Sequence, residues 1–308
     1  MKIVYLGTPD FSVKPLEAIL KAGKDEVVAV VCNKDKPVGR KRILTAPPVK
    51  LLAQNYGLKV FQYDKISKEG VSDLKLLDAD LFITCAFGQI LSQEIIDIPK
   101  LGVYNIHASL LPKYRGASPI HYAILNGDKT TGITIMKTEL GIDTGDILLQ
   151  KAIDISYEDT CGSLFDKLSD LGSICILEAI DSLRDGKVNL TKQDHSLATL
   201  TKMIKREHAL IDWNKSAIEI INQIRAFNPA PGAYTILNGE PFKIFSAKLS
   251  NRTDDATPGE VLINDKDLVV ACGHDAIKLI CVQKAGGKPV FIKDFLAGNT
   301  INKGIILG

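Results

Sequence analysis

The chain has 308 residues, 45% of them hydrophobic, with 38 basic and 36 acidic side chains and a net charge of +2. Domains run to roughly 100–200 residues, so this length is too great for one ordinary domain and fits about two. The apolar content suffices for real cores, while the balanced charge names no partner and excludes a chain that is basic throughout.

The six cysteines (Cys32, Cys85, Cys161, Cys175, Cys272 and Cys281) are scattered among apolar neighbours without C-x-x-C spacing. That is the pattern of free thiols in a reducing compartment, not of disulfides or a zinc site. Met1 to Gly7 runs directly into a strand pattern, leaving no room for a cleavable signal. No apolar run approaches the roughly 20 residues that span a bilayer, so a cytoplasmic protein with no membrane partner is expected.

In chain order, Lys2–Leu6 reads as a strand, Phe11–Leu20 as a helix and Val27–Cys32 as a second strand, a βαβ unit that argues for a parallel sheet. A dinucleotide fingerprint fails here: the second and third glycines of G-x-G-x-x-G are missing, as is an acidic residue closing the second strand. Asn33 to Lys50 differs in character. Its six cations, Lys34, Lys36, Arg40, Lys41, Arg42 and Lys50, face the single acid Asp35, and Pro37, Gly39, Pro47 and Pro48 argue for an irregular loop. A net charge of +5 near the carboxyl end of a sheet can collect a polyanion, or can simply be a solvated charge run.

The alternation then resumes with helix Val49–Tyr56, strand Lys59–Phe61, helix Lys68–Leu77 and strand Leu81–Cys85. After Ala86-Phe87-Gly88-Gln89-Ile90-Leu91, a helix begins near Ser92, whose hydroxyl can cap it. A Gly at such a strand end lets a flat ligand approach the backbone, and an ordinary βα turn would look the same. Strand Gly102–Ile106 delivers Asn105 and His107 on one side by alternation. Loop Ser109–Gly116, helix Ala117–Asn126 and strand Gly132–Met136 lead to Asp143 in Gly141-Ile142-Asp143-Thr144-Gly145-Asp146. Strand Ile147–Ile155 and helix Thr160–Leu183, capped by Asp159 or Thr160, close the first domain. A polar link follows, then helix Ser216–Ala226 and short strands at Ala233–Ile236, Lys243–Lys248, Gly259–Ile263, Leu268–Ala271 and Ile277–Val282. Turns at Asn238-Gly239, Asp265-Lys266-Asp267 and Gly273-His274-Asp275 separate them, and short strands so spaced suggest an OB-like β-barrel. The fold class expected is α/β, a Rossmann-like open and mostly parallel sheet followed by that barrel. The expected boundaries are 1–189 for the first domain, 190–208 for the linker and 209–308 for the C-terminal domain.

Taken singly, Asn105, His107 and Asp143 each have a plain structural reading. Together beside strand ends, where open α/β sheets bind ligands, they suit acyl-type transfer to an amine. The Asn amide and the His can stabilise an oxyanion, and the Asp can orient the His or take the amine's proton. No Ser or Cys stands in a nucleophile elbow and no H-E-x-x-H or cysteine cluster supplies a metal, so direct transfer is the simplest chemistry.

Asn105-Ile106-His107-Ala108-Ser109-Leu110-Leu111-Pro112-Lys113-Tyr114-Arg115-Gly116 and the segment Gly141 to Asp146 resemble the two signatures of the 10-formyltetrahydrofolate-dependent formyltransferases. Gly7-Thr8-Pro9-Asp10-Phe11, the basic stretch Lys36 to Ile43, Lys205 to Trp213 and Ile224 to Pro229 resemble the branch of that family acting on initiator methionyl-tRNA. The resemblance implies that Asn105, His107 and Asp143 are catalytic, that Ser109, Leu110, Leu111 and Pro112 line the folate site, and that Phe87, Gly88, Gln89 and Ile90 lie near the pterin. It further implies tRNA contacts from Arg40, Lys41 and Arg42, with Arg40 leading, a tRNA-binding C-terminal domain, 10-formyltetrahydrofolate as formyl donor, no metal, and a monomer. The alternative within the family is a sugar-nucleotide formyltransferase using the same donor.

Overall fold

The computed structural model describes every residue except Arg40, 251–255 and 264–266. It forms two compact units, one of residues 1–119, 130–154 and 165–201, the other of residues 120–129, 155–164 and 202–308.

The first unit is built on a seven-stranded sheet: β1 (Lys2–Gly7), β2 (Glu26–Cys32), β3 (Val60–Gln62), β4 (Leu81–Cys85), β5 (Val103–His107), β6 (Thr130–Lys137) and β7 (Ile147–Asp154). Across the sheet the order is β7-β6-β5-β4-β1-β2-β3. β1 to β5 pair in parallel, and β6 and β7 join antiparallel at one edge. The chain progresses in one direction from β1 through β2 to β3, then jumps back to β4 on the other side of β1. That reversal makes the carboxyl ends of β1 and β4 a topological switch point, where such sheets open a crevice. β4 is buried along its whole length and β1 beyond its first residue. Their buried runs, apolar except for Thr84 in β4, therefore mark strands covered on both faces.

Several local expectations change. The first helix is Val13–Ala22, entered through a 3-10 turn at Asp10–Ser12. The helix expected over Lys68–Leu77 is two short ones, Ile66–Glu69 and Val71–Lys75, interrupted at Gly70. Residues 33–50 are not simply irregular: Lys36–Val38 pairs antiparallel with Ile43–Thr45 as a fully exposed ribbon before helix Pro48–Asn55. Val38, Ile43 and Thr45 supply the β-forming side chains, and Pro37 is tolerated because a two-stranded ribbon is all edge. Ser92 does precede helix Gln93–Ile96, but its hydroxyl makes no cap; it is buried without a hydrogen-bond partner.

In the second unit, helix Ala217–Ala226 starts with a capping box: Ser216 accepts from the Glu219 N–H, and Glu219 accepts from the Ser216 N–H. The strands are β8 (Tyr234–Leu237), β9 (Glu240–Ser250), β10 (Val261–Ile263), β11 (Leu268–Ala271), β12 (Ala276–Lys284) and β13 (Val290–Phe291). They form an antiparallel sheet in the order β8-β9-β12-β11-β10, with β13 also pairing with β12. Asn238-Gly239 turns β8 into β9 with both residues at positive φ, +52° and +79°, the twist that hairpins favour. Register shifts between Ile244 and Ala247 against β12 bend the longest strands, and the sheet curls into a half-barrel of the OB-like kind. The turn expected at Asp265-Lys266-Asp267 lies largely outside the described residues.

Candidate active site

β5 lies between β4 and β6, and its last residues carry the polar groups. Thr84 on β4 is in register with Asn105, and its hydroxyl donates to Asn105 Oδ1 at 2.9 Å. With the oxygen so engaged, Nδ2 of the same amide is the group left to face Asp143, whose Oδ1 lies 3.5 Å away. His107 is 6% exposed, and its Nε2 lies 2.9 Å from the carbonyl of Tyr114. A carbonyl can only accept, so Nε2 carries the proton of that bond. Nδ1 then faces Asp143 Oδ2 at 3.5 Å.

Asp143 comes from the segment after β6. Its φ of +52° is uncommon for a residue with a side chain, so tertiary contacts must hold it. Oδ2 accepts the Gly116 N–H at 2.8 Å. At Gly145 a Cβ would stand 1.8 Å from the Lys137 carbonyl, so only glycine permits this approach to the end of β6. The Lys137 N–H in turn donates to Asp146 O at 2.8 Å. Asn105, His107 and Asp143 thus converge on one spot beside the carboxyl end of β5, held by three separate segments.

The other expected site residues are placed as follows. Ser109, Leu110, Leu111 and Pro112 follow β5 directly, and their backbone is fastened to β6 and β7: Thr134 donates to Ser109 O and accepts from the Leu111 N–H, and Gln150 donates to Leu111 O. The Ser109 hydroxyl is spent on Lys113 O at 2.6 Å. Phe87, Gly88, Gln89 and Ile90 follow β4 at the switch point. Phe87 O accepts from Thr8 Oγ1 (3.0 Å) and Asn33 Nδ2 (3.1 Å), tying β4 to the end of β1. The Phe87 ring is in the core at 5% exposure, Gln89 is committed to Asn33, Tyr63 and Ile66, and Ile90 is 89% exposed. In the basic ribbon, Lys34 pairs with Asp64, and Lys50 with Asp35 at 2.8 Å. Lys41 and Arg42 are exposed, with no carboxylate at ion-pair distance among the described residues. Arg40 lies outside the described residues.

Three polar residues that hold this cluster together carry no sequence signal. Thr84 and Thr134 look like ordinary β-formers. Gln193 lies in the polar stretch after the long helix Cys161–Arg184, yet it is buried and donates to Asp143 O and Gly145 O. Among the described residues no group of three or more His, Cys, Asp or Glu side chains could hold a metal, and no helix is long and apolar enough to cross a membrane.

An open, mostly parallel sheet with this cluster at its strand ends, followed by a curled antiparallel sheet, defines a class. The chain belongs to the formyl transferase family: the model for formyl transferases matches residues 1–180, and that for the formyl transferase C-terminal domain matches residues 203–300. Within the family its full-length relatives include methionyl-tRNA formyltransferases. That of Bacillus licheniformis is 46% identical, covering 100% of this chain and 98% of its own length. That of Agathobacter rectalis is 45% identical, covering 99% and 98%. Among solved structures, the sugar 3N-formyl transferase WlaRD superposes with a TM-score of 0.65 at 23% identity, covering 94% of this chain and 99% of its own. HypX from Aquifex aeolicus, in complex with tetrahydrofolic acid, gives 0.66 at 17% identity over 99% of this chain, which spans 50% of HypX. At those identities the two structures speak for the fold alone.

Proposed function

We propose that this chain transfers the formyl group of 10-formyltetrahydrofolate to the α-amino group of methionine on initiator methionyl-tRNA, giving formylmethionyl-tRNA. The observation that carries the reading is the convergence of Asn105, His107 and Asp143, in a chain whose full-length relatives include methionyl-tRNA formyltransferases.

The chemistry follows from the bonds each group already makes. Asn105 has its oxygen tied to Thr84, so its Nδ2 donates to the oxyanion that develops as the amine attacks the formyl carbon. A preorganised donor of this kind is worth about 3–4 kcal/mol. His107 gives Nε2–H to Tyr114 O and turns its Nδ1 edge towards Asp143 and the reacting atoms. Asp143 Oδ2 is engaged by Gly116; Oδ1, with only the long Asn105 contact, takes the amine proton. That proton is passed to the folate nitrogen as its bond to the formyl carbon breaks. One C–N bond forms, one breaks, and no enzyme-bound intermediate is needed.

Residues 109–112 and 87–90 are the folate-binding segments in this reading. Because the Phe87 ring and the Ser109 hydroxyl are already engaged, what these segments offer a pterin is backbone and the exposed Ile90 side chain. Arg40, Lys41 and Arg42 are the phosphate contacts of the tRNA. Residues 1–189 act as the catalytic domain, 190–208 as the link and 209–308 as the OB-like tRNA-binding domain of a cytoplasmic monomer. The test offers the purified protein 10-formyltetrahydrofolate with initiator methionyl-tRNA and a nucleotide-linked amino sugar as competing acceptors. Formylation of the tRNA alone, with binding that weakens steeply as salt rises, is expected. Comparable kcat/KM on the sugar would overturn the acceptor assignment.

A further inference from the structure

Gln193 sits between the exposed Lys192 and Asp194 and is itself 5% exposed, with both polar atoms of its amide engaged. Nε2 spends its two hydrogens on Asp143 O at 2.9 Å and Gly145 O at 2.6 Å. Oε1 accepts twice from Arg115, from Nε at 3.1 Å and from Nη2 at 2.6 Å. Arg115 is likewise buried, and its Nη2 also reaches His195 Nδ1 at 3.0 Å. The backbone on either side of Arg115 forms part of the site: Tyr114 O receives the His107 proton and the Gly116 N–H holds Asp143 Oδ2. One amide therefore bridges the segment that supports His107 and the segment that carries Asp143.

This bridge meets a specific need. Asp143 is at φ +52°, and its own side-chain contacts to Asn105 and His107 are long, 3.5 Å each. Contacts of that length do not fix a loop, and the one short side-chain bond, from the Gly116 N–H at 2.8 Å, holds a single carboxylate oxygen and not the backbone behind it. The two short bonds from Gln193 grip the backbone behind the carboxylate, and Arg115 fixes the orientation of the gripping amide.

We infer that Gln193 is a positioning residue that sets the Asp143 carboxylate against Asn105, His107 and Gly116. The inference rests on the catalytic role proposed for Asp143. Only an amide meets both demands at this position, since the group must donate twice on one side and accept twice on the other. Gln193→Glu keeps the shape and the acceptor for Arg115 but turns an oxygen on two carbonyls.

The experiment measures single-turnover formyl transfer, steady-state KM values and Tm for the parent, Gln193→Glu, Gln193→Ala, Asp143→Asn and the double variant Gln193→Glu/Asp143→Asn, with rates normalised to folded protein. Misplacing a reacting group by about 1 Å costs on the order of 100-fold. Each Gln193 variant is therefore expected to lose about 10- to 100-fold in rate, with both KM values within about threefold of the parent. In the Asp143→Asn background the Gln193→Glu step is expected to cost less than about threefold, because the group it positions is already gone. Parent-like rates in both Gln193 variants, or an equal loss in the two backgrounds, would overturn the inference while leaving the proposed chemistry intact. A fully active Asp143→Asn protein would instead overturn the chemistry.

Discussion

Gly145→Ala probes how tightly the Asp143 segment is pressed against the sheet. An added Cβ would lie 1.8 Å from the Lys137 carbonyl, and real Cβ contacts essentially never fall below 3.0 Å. The backbone must therefore part by at least about 1.2 Å, the difference between those distances, and neither side is a flexible side-chain end. Two bonds are strained by that movement, Lys137 N–H to Asp146 O and Gln193 Nε2 to Gly145 O. At about 0.5–1.5 kcal/mol net each, the expected loss of stability is about 1–3 kcal/mol. The loss of rate is larger, on the order of 100-fold, because the carboxylate two residues away is displaced by more than about 1 Å. Gly298, at the end of helix Ile292–Gly298, has nothing within 4 Å of an added Cβ and is the control. Gly298→Ala should keep parental activity and gain up to about 1 kcal/mol. The assay pairs thermal unfolding with formyl transfer at saturating substrates. A folded Gly145→Ala protein with activity within twofold of the parent would refute the claim that this contact sets the carboxylate.

Other outcomes follow from the same geometry. Lys41→Ala and Arg42→Ala should each weaken tRNA binding and reduce the slope of log K against log salt by about one ion, leaving folate KM unchanged; an unchanged slope removes the ribbon from the interface. Burial pushes the thiols of Cys85 and Cys161 up to about 12 and those of Cys32 and Cys175 to about 11. Native protein near neutral pH should consequently resist alkylation at these four, with the half-buried Cys281 reacting first and all six reacting after denaturation, as read by mass spectrometry. Hydrogen bonds from Lys50, and then from Gln62, hold the Asp35 carboxyl below its ordinary 3.8. Because the folded value is the lower one, the stability it contributes is complete above the unfolded value and is lost as pH falls through the folded one. The Tm gap between the parent and Asp35→Asn should accordingly close in acid, and a gap independent of pH would contradict the assignment.

What could be read from the chain and what could not divides along physical lines. Periodic features were legible: the apolar runs of β1 and β4 read as strands of a parallel sheet, and two-residue alternation placed Asn105 beside His107. Asn238-Gly239 announced its hairpin for the same reason, since the conformational demand is local. Tertiary hydrogen bonds leave no such trace. Gln193 looks like any polar residue of a link until Asp143 and Arg115 are brought to it, and Thr84 looks like a β-former until it meets Asn105. Residue type also fails to tell inside from outside at a strand end, where Phe87 turns into the core and Ile90 into solvent. Charge counting overstated the basic stretch because the partner of Lys34 is Asp64, far along the chain, whereas the Asp35 that Lys50 meets was already in the count.

The most direct test of the central claim, that formyl transfer to methionyl-tRNA occurs at the Asn105–His107–Asp143 cluster, is the single-turnover rate of Asn105→Ala with saturating 10-formyltetrahydrofolate and initiator methionyl-tRNA. Loss of one oxyanion donor should lower that rate by about 100- to 1,000-fold, with tRNA affinity retained. Formylmethionyl-tRNA produced at the parental rate would place the reaction elsewhere.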